Sequence, residues 1–146
     1  MSVRLKIDQV DCQINGLVTQ ARVLLSLSGR VHTGIATTPS HPTAWQHVIA
    51  EATLEAVRAF VAGQISLTLD SVAEITAGRF PIIVVTMALG SDWSEQFLSG
   101  TAPTLEGRYT AVAKAVLHGL NRKVEPVLQA ITSEPVAAVP DVRPAI

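Results

Sequence analysis

The chain says the same thing twice. Leu5-Lys6-Ile7-Asp8-Gln9-Val10 is answered by Leu67-Thr68-Leu69-Asp70-Ser71-Val72, and the match continues at nearly constant offset, Gly16 with Gly78, Val23 with Val85 and Leu27 with Leu89. After a short insertion, Gly34-x-Ala36-x-Thr38 meets Gly100-x-Ala102-x-Thr104. Ala52-x-Leu54 then meets Ala115-x-Leu117, and Val61 meets Val124. A period of about 62 residues is longer than that of the usual solenoid repeats, so the pattern describes a duplicated subdomain and not an open array. Duplicated halves commonly pack about a pseudo-two-fold axis, and what lies at that axis carries more of the functional argument than any single motif.

Each half reads as three strands and a helix. Val3, Leu5 and Ile7 alternate with Arg4, Lys6 and Asp8, the period of a half-buried strand over residues 3–13. Asn15-Gly16 is a hairpin dipeptide. A second strand follows from Val18 to about Leu27 with Ala21, Val23, Leu25 and Leu27 on one face, and Ser28-Gly29 turns the chain into a third over Arg30–Thr37. Thr38-Pro39-Ser40-His41-Pro42 is a rigid break, because proline fixes its own φ and restricts the residue before it. A helix is predicted over Thr43–Ala62, with Trp45, Val48, Ile49, Ala52, Ala56, Ala59 and Phe60 in its apolar stripe, Glu51, Glu55 and Arg58 facing water, and Gly63 as its C-terminal cap.

The second half repeats this plan. Strands are predicted over Ile65–Ile75, Pro81–Leu89 and Gln96–Ala102, with a longer connection at Gly90-Ser91-Asp92-Trp93-Ser94, and a helix over Leu105–Leu128 that Pro126 ends early or bends. Residues 1–130 thus form one duplicated domain, repeat 1 over about 3–63 and repeat 2 over about 64–128, and 131–146 a flexible Pro/Ala/Val-rich tail. The expected fold is α+β: tandem βββα units related by pseudo-two-fold symmetry, each antiparallel three-stranded sheet backed by one long helix.

Composition narrows the function classes. Of 146 residues 48% are apolar and only 16% charged, so a domain of this size is expected to hide surface against another copy of itself or a partner. A net charge of −1 with interspersed signs removes the electrostatic footprint of a dedicated nucleic-acid binder. The single Cys12 allows no internal disulfide and suits a reducing, cytoplasmic compartment. No apolar run has the length of a signal-peptide core at the N-terminus or of a membrane span anywhere.

The order of motifs resembles the C-terminal allosteric and dimerisation domain of α-isopropylmalate synthase and its citramalate and homocitrate relatives, itself a tandem βββα duplication. The matching stretches are Leu5–Val10, Ala21-Arg22-Val23-Leu24-Leu25, Gly29–Gly34 and Ala50-Glu51-Ala52 in the first half. In the second they are Leu67–Val72, Val84-Val85-Thr86-Met87 and the run from Ala113 to Leu120-Asn121-Arg122, which looks like the family's closing helix. The resemblance covers residues 3–125 and implies a regulatory, dimerising domain that stands apart from the family's catalytic barrel. In that family the effector lies near the loops entering the helices, at a glycine-rich turn followed by Asp-Ala. Here Thr37–Pro42 and Ala102–Gly107 occupy those places and depart from that pattern.

Candidate chemistry is sparse. Cys12 has no paired base in the sequence and reads as a small buried residue. His32, His41, His47 and His118 are scattered and with one cysteine match no metal-ligand spacing, so neither metal nor cofactor is expected. Asp8 and Asp70 are equivalent carboxylates whose simplest reading is shared turn chemistry at strand ends. Helix N-termini offer unpaired amides to a carboxylate or phosphate. The candidate ligand residues are therefore Thr37, Thr38, Ser40 and Thr43 in one half, Thr101 and Thr104 in the other, and Trp45 and Tyr109 as apolar walls. Ordinary N-capping by these hydroxyls is the competing reading. Trp93 either folds back on its own sheet or anchors a partner.

These observations describe a non-catalytic regulatory or assembly domain that homodimerises and senses a small metabolite, an amino acid or keto acid. The alternative is a protein-binding scaffold with no small-molecule ligand. No nucleic acid, membrane or cofactor is expected to be involved.

Overall fold

A computed structural model describes residues 4–91 and 94–133. Its elements are β1 (Lys6–Asn15), β2 (Val18–Leu27), β3 (Arg30–Pro39), α1 (Ala44–Val61), β4 (Ser66–Ala77), β5 (Phe80–Ser91), β6 (Ser94–Pro103) and α2 (Arg108–Ser133). The strands form two antiparallel sheets in the orders β1-β2-β3 and β4-β5-β6, each followed in the chain by its helix. This is the expected α+β tandem βββα arrangement.

The inward face of each sheet follows from the pleat, which sends alternate side chains to opposite faces. On β2 the buried set is Ala21, Val23, Leu25 and Leu27, and on β5 it includes Ile83, Val85 and Met87. α1 packs on β2 and β3 of its own sheet, against α2, and against β4 of the other half. Reciprocally, α2 packs on β5 and β6 and reaches across to β1. The halves therefore share one apolar core, from Leu25 and Ile49 in the first to Ile83 and Leu120 in the second.

Two glycines of the repeat set how closely helix and sheet approach. A Cβ on Gly34 would run into the carbonyl oxygen of Ala52 and lie 2.7 Å from the Ala56 nitrogen. A Cβ on Gly100 would meet Ala115 and Gly119 in the same way, 2.5 Å from the Gly119 nitrogen. The Gly-x-Ala-x-Thr motif is thus a contact between each third strand and its own helix, made main chain to main chain because no side chain intervenes.

Three local expectations are corrected. The extra residues in the second hairpin extend the ladder and do not lengthen a loop: the β5–β6 register continues through Gly90↔Glu95 to Ser91↔Ser94, whereas β2 and β3 end at Leu27↔Arg30. Asp8 and Asp70 stand at equivalent bulges within β1 and β4, not at strand ends. Each carboxylate there accepts a hydroxyl hydrogen bond from the neighbouring strand, Asp8 from Ser26 (3.0 Å) and Asp70 from Thr86 (2.8 Å). Finally, α2 passes through Pro126 and runs to Ser133, so the helix absorbs the first residues assigned to the tail. The rest of that tail lies outside the described residues.

Candidate functional site

The two helices begin close together at the pseudo-two-fold axis. The helix alignment that pairs Ala52 with Ala115 also pairs Trp45 with Arg108, so these two are equivalents, and they meet. The Arg108 guanidinium lies over the Trp45 ring, 4.4 Å from its centroid. Tyr109 approaches the same indole at 5.7 Å between ring centroids. Trp45 is only 8% exposed, and Arg108 also makes a 2.9 Å ion pair to Glu74. A cation held against an indole face and paired with a carboxylate is a stable arrangement, and Trp45, Arg108, Tyr109 and Glu74 together join the helix starts. Beside it, Val10, Gly107, Arg108, Tyr109 and Thr110 line an open hollow of about 400 Å³.

The hydroxyls singled out around this entrance do not converge on one point. The Ser40 hydroxyl shares a 2.9 Å hydrogen bond with that of Thr19, and Thr104 donates to the Pro81 carbonyl at 3.2 Å. Thr43 is the N-terminal cap residue of α1 by position, but its side chain makes no capping bond and instead stands 3.5 Å from His41 Nδ1. Thr38 pairs with Thr19 in register and is half-buried. Thr37 and Thr101 lie opposite Gln20 and Val84, on the faces of their sheets turned away from the core. Trp45 and Tyr109 are thus the only candidate pair seen in ring contact among the described residues. Trp93 lies outside those residues.

Two features escaped the reading of the sequence. One is the outer face of the second sheet. Its central strand presents Phe80, Ile82, Val84 and Thr86, flanked by Ile75, Ala73 and the Asp70 carboxylate on β4 and by Phe97 and Ser99 on β6. Phe97 is 74% exposed, Phe80 51% and Ile75 48%. The other is a basic groove between α2 and the start of β1. The signal for both lay in the repeat: aligning the halves shows where one keeps a charge and the other loses or inverts it.

Other chemistry is quiet. Among the described residues no group of three or more His, Cys, Asp or Glu side chains is placed to hold a metal ion. Burial pushes the Cys12 thiol up from its ordinary range, which disfavours the nucleophilic thiolate. No helix among the described residues is long and apolar enough to cross a membrane. In comparisons with known proteins, no family model and no curated protein matches the chain.

Proposed function

We propose that the chain is a non-catalytic regulatory or assembly domain that homodimerises through the outer face of its second sheet and senses a small metabolite, an amino acid or keto acid. One observation carries the reading: the two outer sheet faces share a backbone plan but not a chemistry. Positions held by Asp11, Gln13, Gln20 and Arg22 in the first half are held by Ala73, Ile75, Ile82 and Val84 in the second. Val18 and Val31 likewise become Phe80 and Phe97. The first face is what a solvated sheet requires; the second is apolar along Ile75, Phe80, Ile82, Val84 and Phe97, and keeps the Asp70 carboxylate, held by Thr86, beside them.

A second copy is the occupant that this surface fits. A mainly apolar face has few charges to desolvate against its own copy, with the Asp70 carboxylate already engaged by Thr86, and a two-fold interface needs only that a patch complement itself. Three strands of this length present a footprint of about 500 Å² per copy. Two copies together reach the roughly 1,000 Å² at which specific interfaces begin.

Sedimentation of the wild type and of Val84→Arg tests this. The variant installs the residue that the first sheet already carries at the equivalent place, so the fold tolerates it. A dimer that becomes a monomer in Val84→Arg supports the reading; a monomeric wild type removes it. A thermal-shift panel of branched-chain amino acids and 2-keto acids tests the sensing half, since a ligand that binds only the folded state raises its stability. A flat response across that panel favours the scaffold alternative.

A further inference from the structure

The groove between α2 and β1 has a pseudo-symmetric counterpart between α1 and β4, and the two have opposite chemistry. In the α1–β4 groove Arg58 closes the space. Its Nε and Nη2 donate to the Leu67 carbonyl at 3.1 and 2.7 Å, and its guanidinium pairs with Glu55 at 3.2 Å and Glu51 at 3.6 Å. The cation there is answered from within the protein, and Glu51 Oε1, buried without a hydrogen bond, lies within ion-pair reach of it. The repeat alignment replaces Arg58 by Asn121, Glu55 by His118 and Glu51 by Lys114. The plug is gone and both acids have become basic or neutral side chains.

What remains is open and cationic. Two adjoining hollows of about 460 and 440 Å³ share His118 and Asn121 in their walls. Arg4, Arg122 and Lys123 line the first and Lys6 the second, and no carboxylate lines either. Those four cations have no ion-pair partner among the described residues, while Lys114 at the rim is held by Glu106. In a chain of net charge −1, this is a local excess of one sign. His118 Nδ1 accepts a 3.0 Å hydrogen bond from the Thr101 amide, which leaves the opposite ring nitrogen, Nε2, as the donor. Asn121 Oδ1 is buried with no hydrogen-bond partner, an unusual and costly state for an amide oxygen.

We infer that this groove binds a small polyanion, a phosphate ester or a di- or tricarboxylate, with Arg4 and Arg122 as its main charge contacts and His118 as an additional donor. Arginine suits this role because its planar fork meets carboxylate or phosphate oxygens two at a time. The volume lies within the range of small-molecule sites. Against four unpaired cations a zwitterionic amino acid brings no net charge and a 2-keto monoacid only a single negative one, so a polyanion differs from the ligands in the reading above and the inference stands independently of it.

The test is isothermal titration of the full chain with pyrophosphate and with citrate, each against sodium chloride of matched ionic strength. Saturable binding to either probe is expected, and the probe that binds tighter assigns phosphoryl or carboxylate chemistry. Arg122→Glu should weaken it by about tenfold or more, and Arg4→Glu, on the opposite wall, should do the same. Arg22→Glu, on the outer face of the first sheet, should leave it unchanged. No heat beyond the salt control, or equal loss in Arg22→Glu, overturns the inference. Oligomeric state is read separately by sedimentation, so failure here leaves the dimer question untouched.

Discussion

Arg108 lies over the indole of Trp45, and the two residues are each other's counterparts in the duplicated halves. The contact therefore sits where the halves exchange places, and it joins the start of one helix to the start of the other. Replacing Arg108 by Ala should lower stability by about 1 kcal/mol, measured by urea unfolding, through loss of the cation–π contact and of the exposed pair to Glu74. A double-mutant cycle with Trp45→Leu should return a coupling of about 0.5–1 kcal/mol. Additive effects would mean that the stacking contributes nothing.

The close contacts at Gly34 and Gly100 lead to a matched pair of expectations. A methyl group at either position collides with helix main chain, which cannot yield as a flexible side chain does. Gly34→Ala and Gly100→Ala should each cost about 3 kcal/mol or more, because sheet and helix must separate. Gly90→Ala is the control, since a Cβ there meets nothing nearer than Ser66 Cβ at 3.7 Å. Its effect should stay within about 1 kcal/mol. Equal melting temperatures for all three variants would remove the account of the repeated glycine.

Cys12 allows a test of sign. Its thiol is pushed up by burial, so the folded state favours the protonated form. Alkylation of the native protein near pH 8 should be slower than that of the same thiol in urea. Because the folded pKa exceeds the unfolded one, the associated stability is present at neutral pH and is lost as pH rises through the alkaline range. Faster reaction in the native state would show instead an activated thiolate.

Much of the fold was legible because it rests on local pattern. The alternation of Ala21, Val23, Leu25 and Leu27 with polar neighbours defines β2 whatever surrounds it, and the apolar stripe around Ala52 and Ala56 defines α1. The bulges at Asp8 and Asp70 were not legible, because their hydroxyl partners Ser26 and Thr86 come from another strand at non-equivalent repeat positions. The early ending expected at Pro126 failed for a related reason. The rule that ends a helix at proline is local, whereas Val124 and Leu128 on either side are buried in the shared core and hold the backbone helical. The candidate site was the least legible part. Its hydroxyl residues cluster in sequence around the helix entrances, but strand pleating sends Thr37 and Thr101 outward and packing engages Ser40 and Thr104 with the main chain or a neighbour. The basic groove needs Arg4 and Arg122 to meet, and only the crossing of α2 onto β1 brings them together.

The bulged aspartates also bear on how copies of this molecule can join. β1 and β4 are edge strands, and a kink carrying a charge makes a poor template for another strand to extend the ladder. On the opposite edge of the second sheet the Thr101 amide is already taken by His118. Growth by adding strand to strand, the route to fibres, is obstructed at those three places. The face-to-face stacking proposed for the second sheet differs from such growth in kind, because a self-complementary face is used up once two copies meet.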